Sequence, residues 1–324
     1  MREGYTVAVV GAGLVGERLV SELRKREFPI KELRILARSA RRAVLAGETF
    51  DVGVAEPEAF DGVDYALFAG TEGEKGAAVQ LAREAIARGA IVIDNGSDFR
   101  LDPEVPLVVP EVNVGALDHH NGIIANPNCS TIQMVVSLAP LVREFGIKKV
   151  VVSTYQAVSG AGRGGVEALE SGREDAFPKP IVGNAIPLIG GVGEDGYTTE
   201  EKKMREESRK ILSMPNLPVF ATAVRIPVHT GHAESVYVEA GREVTLPEVL
   251  EVFSAAPGVS FSGDAAAFPT PLEVAGAPDV FVGRVRTQGN VIEYWCVSDN
   301  LLKGAATNAV QVAEALVNVA HVGA

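Results

Sequence analysis

The sequence predicts an α/β protein, an N-terminal doubly wound parallel sheet joined to a second, α+β domain. Three observations carry the prediction. Apolar β-rich runs alternate with helical segments from Tyr5 to Asp94, the rhythm of a parallel sheet. From Lys148 the texture changes, and a strand runs into a glycine-rich loop. The 324 residues are also long for a single core and suggest two domains of ordinary size.

Tyr5 to Val10 reads as a buried strand, followed at once by Gly11-Ala-Gly13-Leu14-Val15-Gly16 and a helix over Glu17 to Phe28, with Leu19, Val20 and Leu23 at helical spacing. Strand, glycine turn and helix in this order form a dinucleotide-binding fingerprint of Rossmann type. The first glycine allows the tight turn, the second admits a pyrophosphate to the backbone, and the third lets helix and strand pack closely. The alternative is a plain βα turn. The second strand, Leu33 to Ala37, ends in Arg38-Ser39-Ala-Arg41-Arg42. An acidic residue there would accept from a ribose 2′-hydroxyl, whereas hydroxyl and guanidinium donors suit a 2′-phosphate. NADP is therefore expected over NAD, the alternative being a solvated basic loop.

Val63 to Ala69 is the next strand, Gly70 to Gly73 a turn, Glu74 to Arg88 an alanine-rich helix and Ile91 to Asp94 a further strand. Ligands of such sheets sit at the carboxyl ends of the strands. Arg100, just beyond one such end, could face an anion or form a surface salt bridge. After the short apolar run Gly122 to Ala125 comes Asn126-Pro-Asn-Cys129-Ser-Thr131, then Ile132, Val135, Val136, Leu138, Ala139 and Val142 at helical spacing. Cys129 is thus placed at or just before a helix N-terminus, where unpaired N–H groups and the dipole favour a thiolate. It reads as a nucleophile or, alternatively, as a buried structural cysteine.

Val150 to Tyr155 is strand-like, and the glycines of Ser159-Gly160-Ala-Gly162-Arg-Gly164-Gly165 suggest either a backbone close to a ligand or a mobile loop. Phe177 to Tyr197 is rich in Pro and Gly, has no clear period and is expected to wrap another element. Thr198 to Leu212 is a polar helix capped by Thr198 or Thr199, with Glu200 and Glu201 in its first turn and Glu207 and Lys210 on one face, a spacing that reads by itself as a solvated salt bridge. Val219 to Val228 is a strand region ending in Arg225-Ile-Pro-Val-His229-Thr-Gly-His232, followed by strand Glu234 to Glu239. Leu246 to Phe253 is a short helix, Val280 to Thr287 and Val291 to Val297 a hairpin, and Ala305 to Val319 a closing helix. Cys296 falls in the last strand and reads as core.

Composition sets limits. Apolar residues at 47% and charged residues at 22% describe a soluble globular protein. A net charge of −12 argues against nucleic acid or an anionic membrane as partner, though local arginines leave anionic small substrates possible. Two cysteines make no disulfide framework and fit a reducing cytoplasm. No signal peptide opens the chain, no run nears the ~20 apolar residues that span a bilayer, and no Cys/His spacing suggests a metal.

A dinucleotide domain combined with a poised cysteine and a separate histidine turn points to aldehyde oxidation through a thiohemiacetal and a thioester. Attack by the thiolate makes the carbonyl carbon tetrahedral, a hydride leaves to the nicotinamide, and an acceptor cleaves the thioester. Water, phosphate and CoA all remain open as that acceptor.

Over essentially its whole length the chain resembles the bacterial aspartate-β-semialdehyde dehydrogenases. The matching segments are Gly11 to Gly16, Asp94-Asn-Gly-Ser-Asp-Phe-Arg100, Pro106-Leu-Val-Val-Pro-Glu-Val-Asn113, Asn126 to Thr131, Tyr155-Gln-Ala-Val-Ser-Gly160 and Arg225 to His232. The resemblance implies NADPH-dependent reductive dephosphorylation of aspartyl phosphate to aspartate semialdehyde, and its reverse, in aspartate-family amino-acid biosynthesis. It implies that Cys129 is the nucleophile, His232 rather than His229 the acid/base, and Gln156 the residue that orients the acyl group. Arg225 would bind the substrate carboxylate and Glu207 its ammonium; Arg100, Asn128 and Lys210 would hold phosphate. Gly11, Gly13, Leu14, Val15, Gly16, Arg38, Ser39, Arg41, Ser159, Gly160 and Asn308 would line the cofactor. Residues 1–128 with 305–324 would form the NADP-binding domain, and residues 129–304 the catalytic and dimerisation domain of a homodimer or homotetramer.

Two departures stand out. Leu188 lies where many relatives are expected to carry glutamine, and Arg209 precedes Lys210, leaving open which of them meets phosphate. The rival enzyme is N-acetyl-glutamyl-phosphate reductase, whose blocked amine gives Glu207 nothing to bind. Glyceraldehyde-phosphate dehydrogenase sets its cysteine in a different motif. An inactive NADP-binding paralogue should have lost Cys129 or His232, and both are present.

Overall fold

The structure, a computed structural model, describes residues 4–70 and 76–322. They fall into two compact units, residues 1–127 with 305–324 and residues 128–304.

The first unit contains β1 (Tyr5–Val10), α1 (Leu14–Lys25), β2 (Ile30–Ala37), β3 (Arg41–Leu45), β4 (Glu48–Val54), β5 (Tyr65–Phe68), α2 (Ala77–Ala87), β6 (Ile91–Asp94), α3 (Pro110–Asn113), β7 (Ile123–Ala125) and, from the far end of the chain, α9 (Thr307–Val322). Its sheet runs β3-β4-β2-β1-β5-β6-β7. All neighbours are parallel except β3 and β4, which form an antiparallel hairpin. The strand order reverses between β2 and β5 on either side of β1, so the glycine turn after β1 opens at the switch point of the sheet.

Every residue of β1 is buried, and Leu19, Val20 and Leu23 of α1 pack on the core, each burial worth roughly 1.5–3 kcal/mol. Val310, Ala313 and Leu316 of α9 belong to the same cluster. The helix after the glycine turn begins at Leu14 rather than Glu17 and stops at Lys25, because Gly13 takes the N-cap position in extended backbone. Arg41 and Arg42, expected in a loop, start β3. The turn expected over Thr71 to Gly73 and the helix start at Glu74 lie outside the described residues, and α2 is seen from Ala77.

The second unit contains α4 (Cys129–Phe145), β8 (Ile147–Gln156), α5 (Gly162–Ser171), α6 (Thr199–Ile211), β9 (Val219–Arg225), β10 (His232–Ala240), α7 (Leu246–Ser254), β11 (Val259–Phe261), α8 (Pro271–Val274), β12 (Val280–Gln288) and β13 (Val291–Ser298). Its mixed sheet runs β11-β12-β13-β10-β8-β9. The expected hairpin is β12 and β13, paired antiparallel. Alternation along β8 buries Val150, Val152, Thr154 and Gln156 while Val151 stays 40% exposed. On β9, Phe220 is 47% exposed, on the face opposite the buried Ala221, Ala223 and Arg225. β9 ends at Arg225 instead of Val228, since Pro227 has no N–H to offer a ladder. The aperiodic stretch 177–197 does wrap another element, for Ile186 and Arg225 exchange backbone hydrogen bonds of 2.9 and 2.8 Å. Leu188 is 37% exposed there.

Candidate active site

Three neighbouring strands of the second unit end together. β8 and β9 run parallel with Gln156 opposite Arg225, and antiparallel β10 starts beside them at His232. All three side chains are on the buried side, with 1%, 5% and 0% exposure. The order β10-β8-β9 therefore puts Gln156 on the strand between those that carry His232 and Arg225.

Cys129 is the first residue of α4, as expected, and is half-buried. The cap is Asn128, whose Oδ1 accepts from the Ser130 and Thr131 N–H groups at 3.0 and 3.1 Å. The 17-residue helix directs its positive end at Cys129. Gly304 packs against this turn so closely that a Cβ there would lie 2.8 Å from the Cys129 Cβ. Arg225 feels the charge of Cys129. Burial lowers the guanidinium's pKa, and the negative charges of Glu200 and Cys129 raise it in opposition.

α6 begins with a capping box, in which Thr198 Oγ1 accepts from the Glu201 N–H and Glu201 Oε2 from the Thr198 N–H. Glu207 is 1% exposed, and its Oε2 accepts from the Asn128 backbone N–H at 2.7 Å. Glu200, seven residues earlier on the same helix stripe, accepts at Oε1 from Asn128 Nδ2 at 3.0 Å and from Gln156 Nε2 at 3.1 Å. Reading the sequence for caps passes over Glu200 as a first-turn acid; its heptad spacing from Glu207 is the signal that could have found it. Arg209 is engaged elsewhere, with Nε donating to Leu217 O at 2.8 Å and Nη1 pairing with Glu206 at 3.2 Å.

His232 Nδ1 accepts from the Ala157 N–H at 3.0 Å, so a neutral ring carries its proton on Nε2. Nε2 is buried with no hydrogen-bond partner. Burial, and then the Arg225 charge, hold the imidazole well below its ordinary pKa, with the Gly231 carbonyl acting weakly the other way. A Cβ on Gly160 would lie 2.8 Å from Arg225 Nη1 and 3.2 Å from His232 Nε2, so only glycine leaves both groups in place. Asn300, which no motif flags, accepts from the Gly231 N–H at 2.9 Å and bonds Ser159 Oγ at 3.0 Å, tying the turn before His232 to the turn after β8. The His229 side chain is exposed beside Glu170.

Behind the site, Glu234 lies two residues beyond His232 on the same buried face and pairs across to Cys296. Burial raises the Glu234 carboxyl and the Cys296 thiol well above their usual ranges, which makes Cys296 the inert core residue expected.

In the first unit, Gly11 has φ +115°, and a Cβ on Gly16 would meet Gly11 O at 1.8 Å. A Cβ on Gly13 would meet nothing within 4 Å. The turn thus has one strained position, one close helix–strand contact and one open face, with the N-terminus of α1, at Leu14 and Val15, beside it. These residues fit a dinucleotide pyrophosphate. Arg38, Ser39 and Arg41 are exposed beyond β2, with Arg41 Nη1 donating to Ser39 O at 3.4 Å. Arg100 is buried after β6, its Nη2 donating to Asn95 O at 2.8 Å. Asn308 Nδ2 donates to Val108 O at 2.9 Å and to Asn126 Oδ1 at 2.7 Å, and Asn126 Nδ2 donates to Asn95 Oδ1 at 2.9 Å. This amide chain braces the carboxyl ends of β6 and β7. Among the described residues no group of His, Cys, Asp and Glu is arranged to hold a metal, and no helix is long and apolar enough to cross a membrane.

One unit thus carries a nucleotide cradle, and the other a capped cysteine with His, Arg and Gln. Residues 6–120 match the family model described as semialdehyde dehydrogenase, NAD binding domain, and residues 138–303 the one described as semialdehyde dehydrogenase, dimerisation domain. The chain is 47% identical to the aspartate-semialdehyde dehydrogenase of Bacillus subtilis, across 98% of each chain. It is also 47% identical to that of Aquifex aeolicus, across 97% of this chain and 98% of the relative. The crystal structure of aspartate semialdehyde dehydrogenase II from Vibrio cholerae, complexed with ASA, is similar at a TM-score of 0.92 and 40% identity, covering 97% of this chain and 98% of that one. The chain belongs to the aspartate-semialdehyde dehydrogenase family of oxidoreductases, and its first unit is a nicotinamide-dinucleotide-binding domain.

Proposed function

We propose that the chain catalyses the reversible, NADPH-dependent conversion of L-4-aspartyl phosphate into L-aspartate 4-semialdehyde and phosphate, through a thioester on Cys129. In this reading it serves cytoplasmic biosynthesis of diaminopimelate and lysine, threonine, methionine and isoleucine. The observation that carries the reading is the Asn128-capped Cys129 in the charge field of Arg225, beside Gln156 and His232 on adjoining strand ends.

In the biosynthetic direction the Cys129 sulfur attacks the acyl carbon, the C–O bond to phosphate breaks, and a thioester remains. The nicotinamide, when bound, supplies the hydride that reduces it. The tetrahedral species then collapses as the C–S bond breaks, releasing the aldehyde and the Cys129 thiolate. His232 offers Nε2–H to the oxyanion at each tetrahedral stage. To take the Cys129 thiol proton at Nε2 the ring must carry its own proton on Nδ1, which gives up the Ala157 contact; burial and Arg225 disfavour the resulting cation, so Nε2 passes that proton on to the departing phosphate. Arg225 receives the substrate carboxylate through a planar fork that lysine lacks, and Glu207 receives the ammonium. Gln156 orients the acyl group. Arg100, Asn128 and Lys210 bind phosphate.

NADP is favoured over NAD because guanidinium and hydroxyl donors, Arg38, Ser39 and Arg41, follow β2 where an acid would serve a free ribose. Ser159, Gly160 and Asn308 complete the cofactor contacts. The exposed sheet face with Val151 and Phe220 suits a homodimer, alone or within a homotetramer.

The test follows NADPH formation from L-aspartate semialdehyde and NADP, with and without phosphate, in the parent and in Cys129→Ala. Phosphate-dependent turnover that disappears in the variant is expected. Turnover only with the N-acetyl-glutamate semialdehyde would transfer the chain to the rival reductase, and silence with both would make it an inactive paralogue.

A further inference from the structure

We infer that Glu200 is a positioning residue of this active site, acting through Gln156 and Asn128; the inference rests on the catalytic reading above. Glu200 is 8% exposed, and a carboxylate so deeply buried needs donors. It has two, drawn from two other elements: Gln156 Nε2 at the end of β8 and Asn128 Nδ2 at the cap of α4, at 3.1 and 3.0 Å from one oxygen.

The hydrogen count fixes the consequence. Asn128 Oδ1 is committed to the two N–H groups it caps, so its NH2 must turn to Glu200. A carboxylate only accepts, so Gln156 must likewise present its NH2. The second Gln156 N–H goes to Thr154 Oγ1 at 3.2 Å. Both amide hydrogens are then used within the protein, and Oε1 is the atom Gln156 has left for a ligand. Gln156 therefore serves the substrate as an acceptor, with Glu200 holding it in that orientation. Glu200 is free for this task because Glu201, not Glu200, completes the capping box of α6. Its charge also acts on Arg225.

The experiment is a double-mutant cycle on kcat and KM for the phosphate-dependent reaction, using Glu200→Ala, Gln156→Ala and the double variant. Glu200→Ala is expected to lower kcat at least tenfold while KM for aspartate semialdehyde and for phosphate stays within about threefold, and the double variant to fall little below the worse single one. Glu200→Gln, which keeps an acceptor oxygen without the charge, should recover part of the loss. A kcat for Glu200→Ala within twofold of the parent, or losses that multiply in the double variant, would overturn the inference. If Glu200→Ala does not fold, Glu200→Gln enters the same cycle under the same criteria. A parent without turnover overturns the catalytic reading and this inference with it, whereas multiplying losses in an active parent overturn this inference alone.

Discussion

At His232 two circumstances act together. The ring is fully buried beside an arginine, and its Nδ1 is occupied by a backbone N–H. Its pKa in the folded chain therefore lies below the unfolded value near ~6.5, so the native state binds fewer protons than the unfolded one in mildly acid solution. The stability this group contributes is present above the unfolded pKa and is lost as pH falls toward the folded one. Denaturant titrations at pH 7.5 and 5.5 should show the parent losing up to about 1.4 kcal/mol per pH unit more than His232→Gln below pH ~6.5. Equal losses would mean that the ring is not held neutral. Taking the difference removes the opposite contribution of Glu234, whose raised pKa favours folding as pH falls.

The residues legible in the sequence at this scale are those set in a local pattern. Cys129 precedes a helical period, and Arg225 and His232 crowd one turn around a glycine. Glu200 and Asn300 are not legible in that way. Glu200 reads as an ordinary helix-starting acid, and Asn300 matters only through Gly231 and Ser159, both far away in sequence.

Among elements, the turn from β1 to α1 separates two kinds of glycine requirement. Gly13→Ala has room for its Cβ and an allowed backbone, so stability should change by no more than about 0.5 kcal/mol while NADP binding weakens at least tenfold. Gly16→Ala drives its Cβ into a carbonyl oxygen and should cost about 1–3 kcal/mol whether or not nucleotide is added. Thermal melts with and without NADP check both; a Gly13→Ala protein that binds NADP as the parent does would remove the pyrophosphate from this turn. The run from Tyr5 to Val10 is legible because all of it is buried. The hairpin β3–β4 escapes notice because only Leu45 and Val52 are buried in it, while Arg41, Arg42, Glu48 and Asp51 face water. One buried residue per strand gives no alternation to read.

For the molecule as a whole, the proposed self-association is assigned to the sheet face of the second unit that leaves Val151 and Phe220 exposed. Placing a charge there, as in Phe220→Lys with Val151→Lys, should weaken self-association at least tenfold, about 1.4 kcal/mol, by sedimentation velocity. Unchanged assembly would move the interface elsewhere.

The chain crosses from the first unit into the second at residue 128 and returns at 305, and the returning α9 supplies Val310, Ala313 and Leu316 to the core begun by β1 and α1. On a ribosome this reverses the order of completion. The nucleotide domain starts first, but it cannot close its core until α9 has been translated, by which time the inserted catalytic unit has all its residues available. Meanwhile the apolar face that α9 will cover stays open for most of synthesis, and the nascent chain must be kept from aggregating through it.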